Sequence, residues 1–158
     1  MEGDSISEDD LFAAVAGSGA RALLIGRRAL VALGLPMMTA DYDYWIHIDD
    51  IERFNAALVP LGLTVSRSPA DARATGRYAL ENGERIEVIV ARAMGLKEGG
   101  NVAFDELWPR RESLEFSGTR IAIPSPEDLV RTKRVADRPK DREDIQLLHA
   151  WMKKNRGK

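Results

Sequence analysis

The sequence contains no cysteine, which excludes disulfides, thiolate catalysis and cysteine-ligated zinc together. It has two histidines, His47 and His149, too few for an all-histidine metal centre, so any metal must be held mainly by oxygen. No apolar run approaches the ~18 residues of a helical membrane span, and no membrane partner is expected. Neither charge sign prevails: 23 Lys+Arg against 25 Asp+Glu leave a formal net charge of -2. With a pI near 5.8 and an aromatic content of 6%, the chain offers neither a broad phosphate footprint nor a stacking platform. That argues against a plain nucleic-acid-binding module. Met1 through Asp10 is acidic where a secretory signal would be basic and then apolar, so a cytoplasmic location is expected.

What is present is an ordinary globular composition, 44% hydrophobic and 30% charged over 158 residues, enough for one core and too short for two. A single domain over 1–158 is expected. Ser7 opens a first helix that runs to Gly17. Arg21 to Ile25 reads as a short strand stopped by Gly26, followed by a helix from Arg27 to Leu33. Tyr42 to Ile48 has the strongest strand character, with Asp41, Asp43, Trp45 and His47 on one face. Asp49-Asp50 can cap the next helix, where Ile51, Phe54, Leu58 and Leu61 recur at helical spacing. Thr64–Ser66, Arg77–Leu80 and Arg85–Val90 read as strands, the last two joined by an Asn82-Gly83 hairpin turn. Leu114 to Ile123 is a second hairpin about Ser117-Gly118. Two helices close the chain, one from Glu127 to about Asp137 and one from Pro139, with Ile145, Leu148, Trp151 and Met152 as its buried stripe. Asp141 and Asp144 fall near the edge of that stripe. The basic tail from Lys153 to Lys158 reads as a solvated, frayed terminus, and Trp45, Trp108 and Trp151 as packing residues.

Asp41 and Asp43, at i and i+2 of a strand, place two carboxylates on one side at a sheet end beside a glycine turn. Like charges so placed favour a cation. Magnesium suits them because it takes oxygen ligands, keeps waters and is normally completed by substrate phosphates. The same pair also fits a solvated strand end. Glu87 interrupts an apolar strand, and strand phase alone reads it equally as a third acidic ligand or as the polar side of a half-exposed strand. Gly26, where a strand ends and a helix opens, is a junction that favours phosphate. Lys133, Arg138 and Lys140 can meet phosphate charge or lie on a solvated helix face.

Leu24-Ile25-Gly26-Arg27, Thr39-Ala40-Asp41-Tyr42-Asp43, Glu87, and Glu127-Asp128-Leu129 through Lys133, Arg138, Asp141 and Asp144 together resemble the minimal nucleotidyltransferase superfamily. The specific likeness is to the bacterial abortive-infection and toxin–antitoxin nucleotidyltransferases, and it covers roughly residues 20–150. The resemblance implies an α/β (α+β) nucleotidyltransferase-like fold, a mixed sheet flanked by helices with a C-terminal helical pair. It implies Mg2+ held by Asp41, Asp43 and Glu87 as catalytic and metal residues. Gly26, Arg27, Thr39, Lys133, Arg138, Asp141 and Asp144 would form the nucleotide-binding set. A nucleoside triphosphate would donate its nucleotide to a hydroxyl of RNA, protein or a small molecule. Three positions depart from the pattern: Gly26-Arg27 replaces a turn of two small residues, Met37 stands where an arginine is usual, and Glu87 where aspartate is common. The Gly26-Arg27 and Met37 departures frame an alternative, a catalytically degenerate protein that binds a nucleotide or a cognate toxin or antitoxin.

Overall fold

The computed structural model describes residues 6–156; Met1–Ser5 of the acidic N-terminus and Gly157-Lys158 of the basic tail lie outside them. Among the described residues nine strands and seven α-helices follow in the order α1 (Glu8–Gly17), β1 (Ala22–Ile25), α2 (Gly26–Leu33), β2 (Tyr42–Ile46), α3 (Ile51–Leu58), β3 (Thr64–Val65), α4 (Pro69–Thr75), β4 (Arg77–Asn82), β5 (Glu84–Ile89), β6 (Ala93–Gly95), β7 (Asn101–Ala103), α5 (Phe104–Leu107), β8 (Glu112–Phe116), β9 (Thr119–Ile123), α6 (Pro126–Ala136) and α7 (Pro139–Arg156). Five strands make one mixed sheet in the order β1-β2-β5-β4-β3. Only β2 and β5 run parallel, pairing Tyr42 with Ile86 and Asp43 with Glu87.

Strand alternation decides which side chains meet which layer. Tyr42, Tyr44 and Ile46 of β2, with Tyr78 and Leu80 of β4 and Ile86 and Val88 of β5, point into the larger core. The helices α1, α3, α6 and α7 complete that core through Phe12, Phe54, Leu129 and Leu148. The opposite phase, Leu23 and Ile25 of β1 and Trp45 of β2, packs on Val102, Phe104 and Leu107 in a smaller core. This second layer covers the β1–β2 end of the sheet. It leaves the same face of β5 and β4, which carries Glu87 and Arg77, as the wall of a cleft.

Several local expectations change. Strand β2 stops at Ile46, because His47 caps a 3-10 turn over Ile48–Asp50, its Nδ1 accepting from the Asp49 amide at 3.0 Å. Asp50 makes no side-chain cap to α3; its buried carboxylate instead accepts from the Arg21 amide and guanidinium, at 2.8 Å each. In α7 only Ile145 and Leu148 of the expected stripe are buried, while Trp151 and Met152 are half-exposed. Asp141 and Asp144 are not at an edge: they are 2% and 0% exposed. Among the described residues no helix is long and apolar enough to cross a membrane.

Candidate active site

The site begins where β1 ends. Gly26 has φ +71°, a conformation that L side chains rarely adopt, and a Cβ there would stand 2.7 Å from Asp43 Oδ2. Glycine is therefore required both for the turn and for the close approach of its backbone to that carboxylate. Helix α2 starts at Gly26, and the first turn of a helix leaves its N–H groups without partners inside the helix. Those donors and the helix dipole favour an anion at this wall.

Asp43 sits across from Ile25 on one side and Glu87 on the other. Neighbouring strands are about 4.8 Å apart, so the register itself makes Asp43 and Glu87 adjacent on one face. The ambiguity of Glu87 in the sequence is thus resolved in position: it is on the aspartate's side of the sheet. Burial, then the charges of Asp41 and Glu87, push the Asp43 carboxyl above its usual range, with Lys133 and Lys140 partly opposing them. Asp41 precedes β2 and is exposed. Its amide donates to Thr39 Oγ1 at 3.1 Å, and Arg28 donates to the Thr39 carbonyl at 2.8 Å, which ties this turn to α2. Arg28, which the sequence did not single out, also lies over the Tyr42 ring at 4.1 Å and pairs with Glu8 at 3.0 Å.

Two adjoining lobes of about 360 Å³ and 240 Å³ form the cleft, and both are lined by Gly26, Asp43, Glu87, Lys133 and Arg138. Asp141 lines the first lobe only, Arg27 and Asp41 the second only, and Thr39 and Asp144 line neither. The first lobe adds an apolar side of Ile89, Met94, Val135 and Ala136 beside Arg77 and Thr132; Met94 and Thr132 carried no signal in the sequence, and Arg77 only its place on the Glu87 side of the hairpin. Lys140 stands in the second lobe. His47 is away from the cleft, edge-on to Phe104 with ring centroids 5.7 Å apart.

Behind the cleft lies a buried ion cluster. Asp144 accepts from Arg27 Nη2 at 3.0 Å and from Lys133 Nζ at 2.8 Å, joining α2, α6 and α7. Burial alone would raise its carboxyl, but those hydrogen bonds hold it below the usual carboxylate range. Asp141 is placed similarly: burial opposes ionisation, while the side chain and amide of Arg138 donate at 2.9 and 3.0 Å and lower its carboxyl overall. Arg27 thus turns its guanidinium to Asp144, which accounts for a large residue in a turn where two small ones are usual. Met37 packs against the larger core.

The donor set is all carboxylate, with one member raised by burial and by its like-charged neighbours, and it fits a hard cation such as magnesium. As the side chains stand, no three acidic or histidine groups among the described residues converge to hold a metal. Glu87 is instead paired with Arg85, which also pairs with Glu81. Both partners of the Glu87 pair are exposed, so releasing it costs little.

No family model and no curated protein matches the chain. Solved structures do. A Thermotoga maritima protein presumed to be a nucleotidyltransferase is 13% identical with a TM-score of 0.61, covering 93% of this chain and 91% of its own. The lincosamide antibiotic adenylyltransferase LnuA, solved with lincomycin, is 16% identical with a TM-score of 0.63, over 92% of this chain and 98% of its own. ANT(2'')-Ia, in complex with adenylyl-2''-tobramycin, is 18% identical with a TM-score of 0.63, over 91% of this chain and 86% of its own. The chain has the nucleotidyltransferase fold. Its mixed sheet, flanking helices and C-terminal helical pair are those the resemblance implied.

Proposed function

We propose that this chain is a magnesium-dependent nucleotidyltransferase that moves a nucleotide from a nucleoside triphosphate to an acceptor hydroxyl. The observation that carries the reading is the register of β2 and β5, which sets Asp43 beside Glu87 on one face, with Gly26 so close that a Cβ there would stand 2.7 Å from Asp43 Oδ2. Asp41, Asp43 and Glu87 would hold the metal, which supplies charge neutralisation on the phosphate oxygens and fixes the triphosphate's orientation. The first turn of α2 and the cations Lys140 and Arg138 receive the triphosphate. The acceptor oxygen forms a bond to the α-phosphorus as the bond between that phosphorus and the α–β bridging oxygen breaks. Pyrophosphate leaves with that bridging oxygen, and the hydroxyl proton passes to Glu87 once Arg85 has released it.

The reading in which the protein only binds a nucleotide, or a toxin or antitoxin partner, rested on the Gly26-Arg27 and Met37 departures, of which Arg27 is the one that faces the cleft. With its guanidinium held by Asp144, that residue no longer argues against a phosphate in the cleft. The test supplies triphosphates labelled at the α or the γ position, together with an RNA and small-molecule extract of the host. Transfer of the α label alone, dependent on magnesium and absent from Asp43→Asn, is expected. Transfer of the γ label, or α transfer that persists in the variant, overturns the reading.

A further inference from the structure

Beyond Glu87 the sheet carries a second, unassigned pocket of about 480 Å³, lined by Ser66, Arg67, Arg77, Tyr78, Arg85 and Glu87. Its floor is the uncovered face of β4 and β5, and its charged lining is three arginines and Glu87, with Glu81 paired to Arg85 beside them. Arg77 and Glu87 line both this pocket and the larger lobe of the cleft, so the two spaces meet at those residues. Arg67 is anchored for the purpose: its Nη1 donates to the Arg77 carbonyl at 2.6 Å and to Thr75 Oγ1 at 3.1 Å. The exposed side chain of Arg77 has no hydrogen-bond or ion-pair partner among the described residues. Arg85 is held by Glu81 and Glu87.

The strand order gives this pocket its meaning. Reading across β1, β2, β5 and β4, the phosphate-favouring turn at Gly26 comes first, then Asp43, then Glu87, and on β4 Arg77, on the same face two residues along from the position opposite Glu87. The triphosphate belongs on the Gly26 side, so the molecule whose hydroxyl Glu87 deprotonates approaches from the arginine side. We infer, on the basis of the proposed transfer reaction, that the acceptor carries a phosphate group near its reacting hydroxyl, and that Arg77 and Arg67 bind that phosphate. Guanidinium groups match phosphate oxygens in geometry and charge. When a phosphate arrives it also competes with Glu81 and Glu87 for Arg85, which frees Glu87 to take the proton. A polycationic acceptor such as an aminoglycoside meets repulsion in the same pocket.

Binding to the full chain, saturated with magnesium and an α,β-methylene nucleoside triphosphate, tests this by calorimetry. Three probes are used: glycerol 3-phosphate, a short RNA ending in a 3'-hydroxyl, and tobramycin. One of the phosphate-bearing probes is expected to bind, its identity separating a small phosphorylated acceptor from an RNA end. Arg77→Glu should weaken it at least 30-fold and Arg67→Ala several-fold, and Arg67→Ala, which lies outside the cleft, should leave nucleotide affinity unchanged within twofold. The inference is overturned if neither phosphate probe binds the nucleotide-loaded protein, if tobramycin binds more tightly than both, or if Arg77→Glu leaves the phosphate probe's affinity intact. Failure of the nucleotide itself to bind is a separate result, which removes the transfer reading on which the inference rests.

Discussion

Replacing Asp144 by alanine separates a structural role from a nucleotide-binding one. The carboxylate is 0% exposed and joins Arg27 of α2 and Lys133 of α6 to α7. In Asp144→Ala the Lys133 side chain, 6% exposed, keeps only Asp141 at 3.9 Å, and Arg27, 29% exposed, turns to solvent. Removing one partner of a buried pair leaves an uncompensated charge and costs about 3–5 kcal/mol, of which the Lys133 side bears most because Arg27 can rehydrate. At about 2–4 °C per kcal/mol for a chain of this size, the midpoint should fall by roughly 6–20 °C. Because the Asp144 carboxyl lies below its ordinary range in the folded chain, its contribution is present above the unfolded value and fades as pH falls through the folded one. Urea unfolding of wild type and variant between pH 7 and pH 3 should therefore show the gap at neutral pH and its narrowing in acid. A loss below about 1 kcal/mol at pH 7, together with a large fall in nucleotide affinity, would refute the reasoning and return Asp144 to the nucleotide.

Asp43→Asn should act in the opposite sense. Burial and the neighbouring carboxylates raise Asp43 in the folded chain, so it holds its proton more tightly there, and its contribution declines as pH rises from its ordinary value through the raised one. At pH 7 without magnesium the variant should be more stable by about 1 kcal/mol, measured by thermal unfolding, and added magnesium should raise the wild-type midpoint only. In Gly26→Ala the left-handed backbone costs about 1–2 kcal/mol and the new methyl pushes Asp43 aside. Its crystal structure should show that carboxylate displaced, and its affinity for magnesium-bound nucleotide should fall at least about tenfold.

Much of the framework was legible because it is written in local pattern. The alternation through Tyr42-Asp43-Tyr44-Trp45 and the Asn82-Gly83 turn between β4 and β5 fix faces and the hairpin register, whereas the parallel pairing of β2 with β5 that brings Glu87 to Asp43 joins strands too distant in the chain for a local signal. The hairpin register would have found Arg77, which shares its phase with Glu87 across the hairpin. Helix α4 had a start signal that went unread, Ser68 capping the Asp71 amide at 3.1 Å ahead of Pro69. Strands β6 and β7, three residues each, are too short to show a period. The Arg27–Asp144 pair spans 117 positions, and no local spacing announces a partner so distant, so the depth of Asp144 became visible only when α7 was packed on α6.

The central claim is that Asp41, just before β2, and Asp43 on it hold a metal-bound nucleotide against Gly26, and calorimetric titration of each magnesium–nucleoside triphosphate into wild type and the Asp41→Ala/Asp43→Ala double variant tests it most directly. Saturable binding that needs magnesium and is lost by at least about a hundredfold in the folded double variant is the predicted result. No binding of any triphosphate to folded wild type, or binding that the double variant retains, would contradict it.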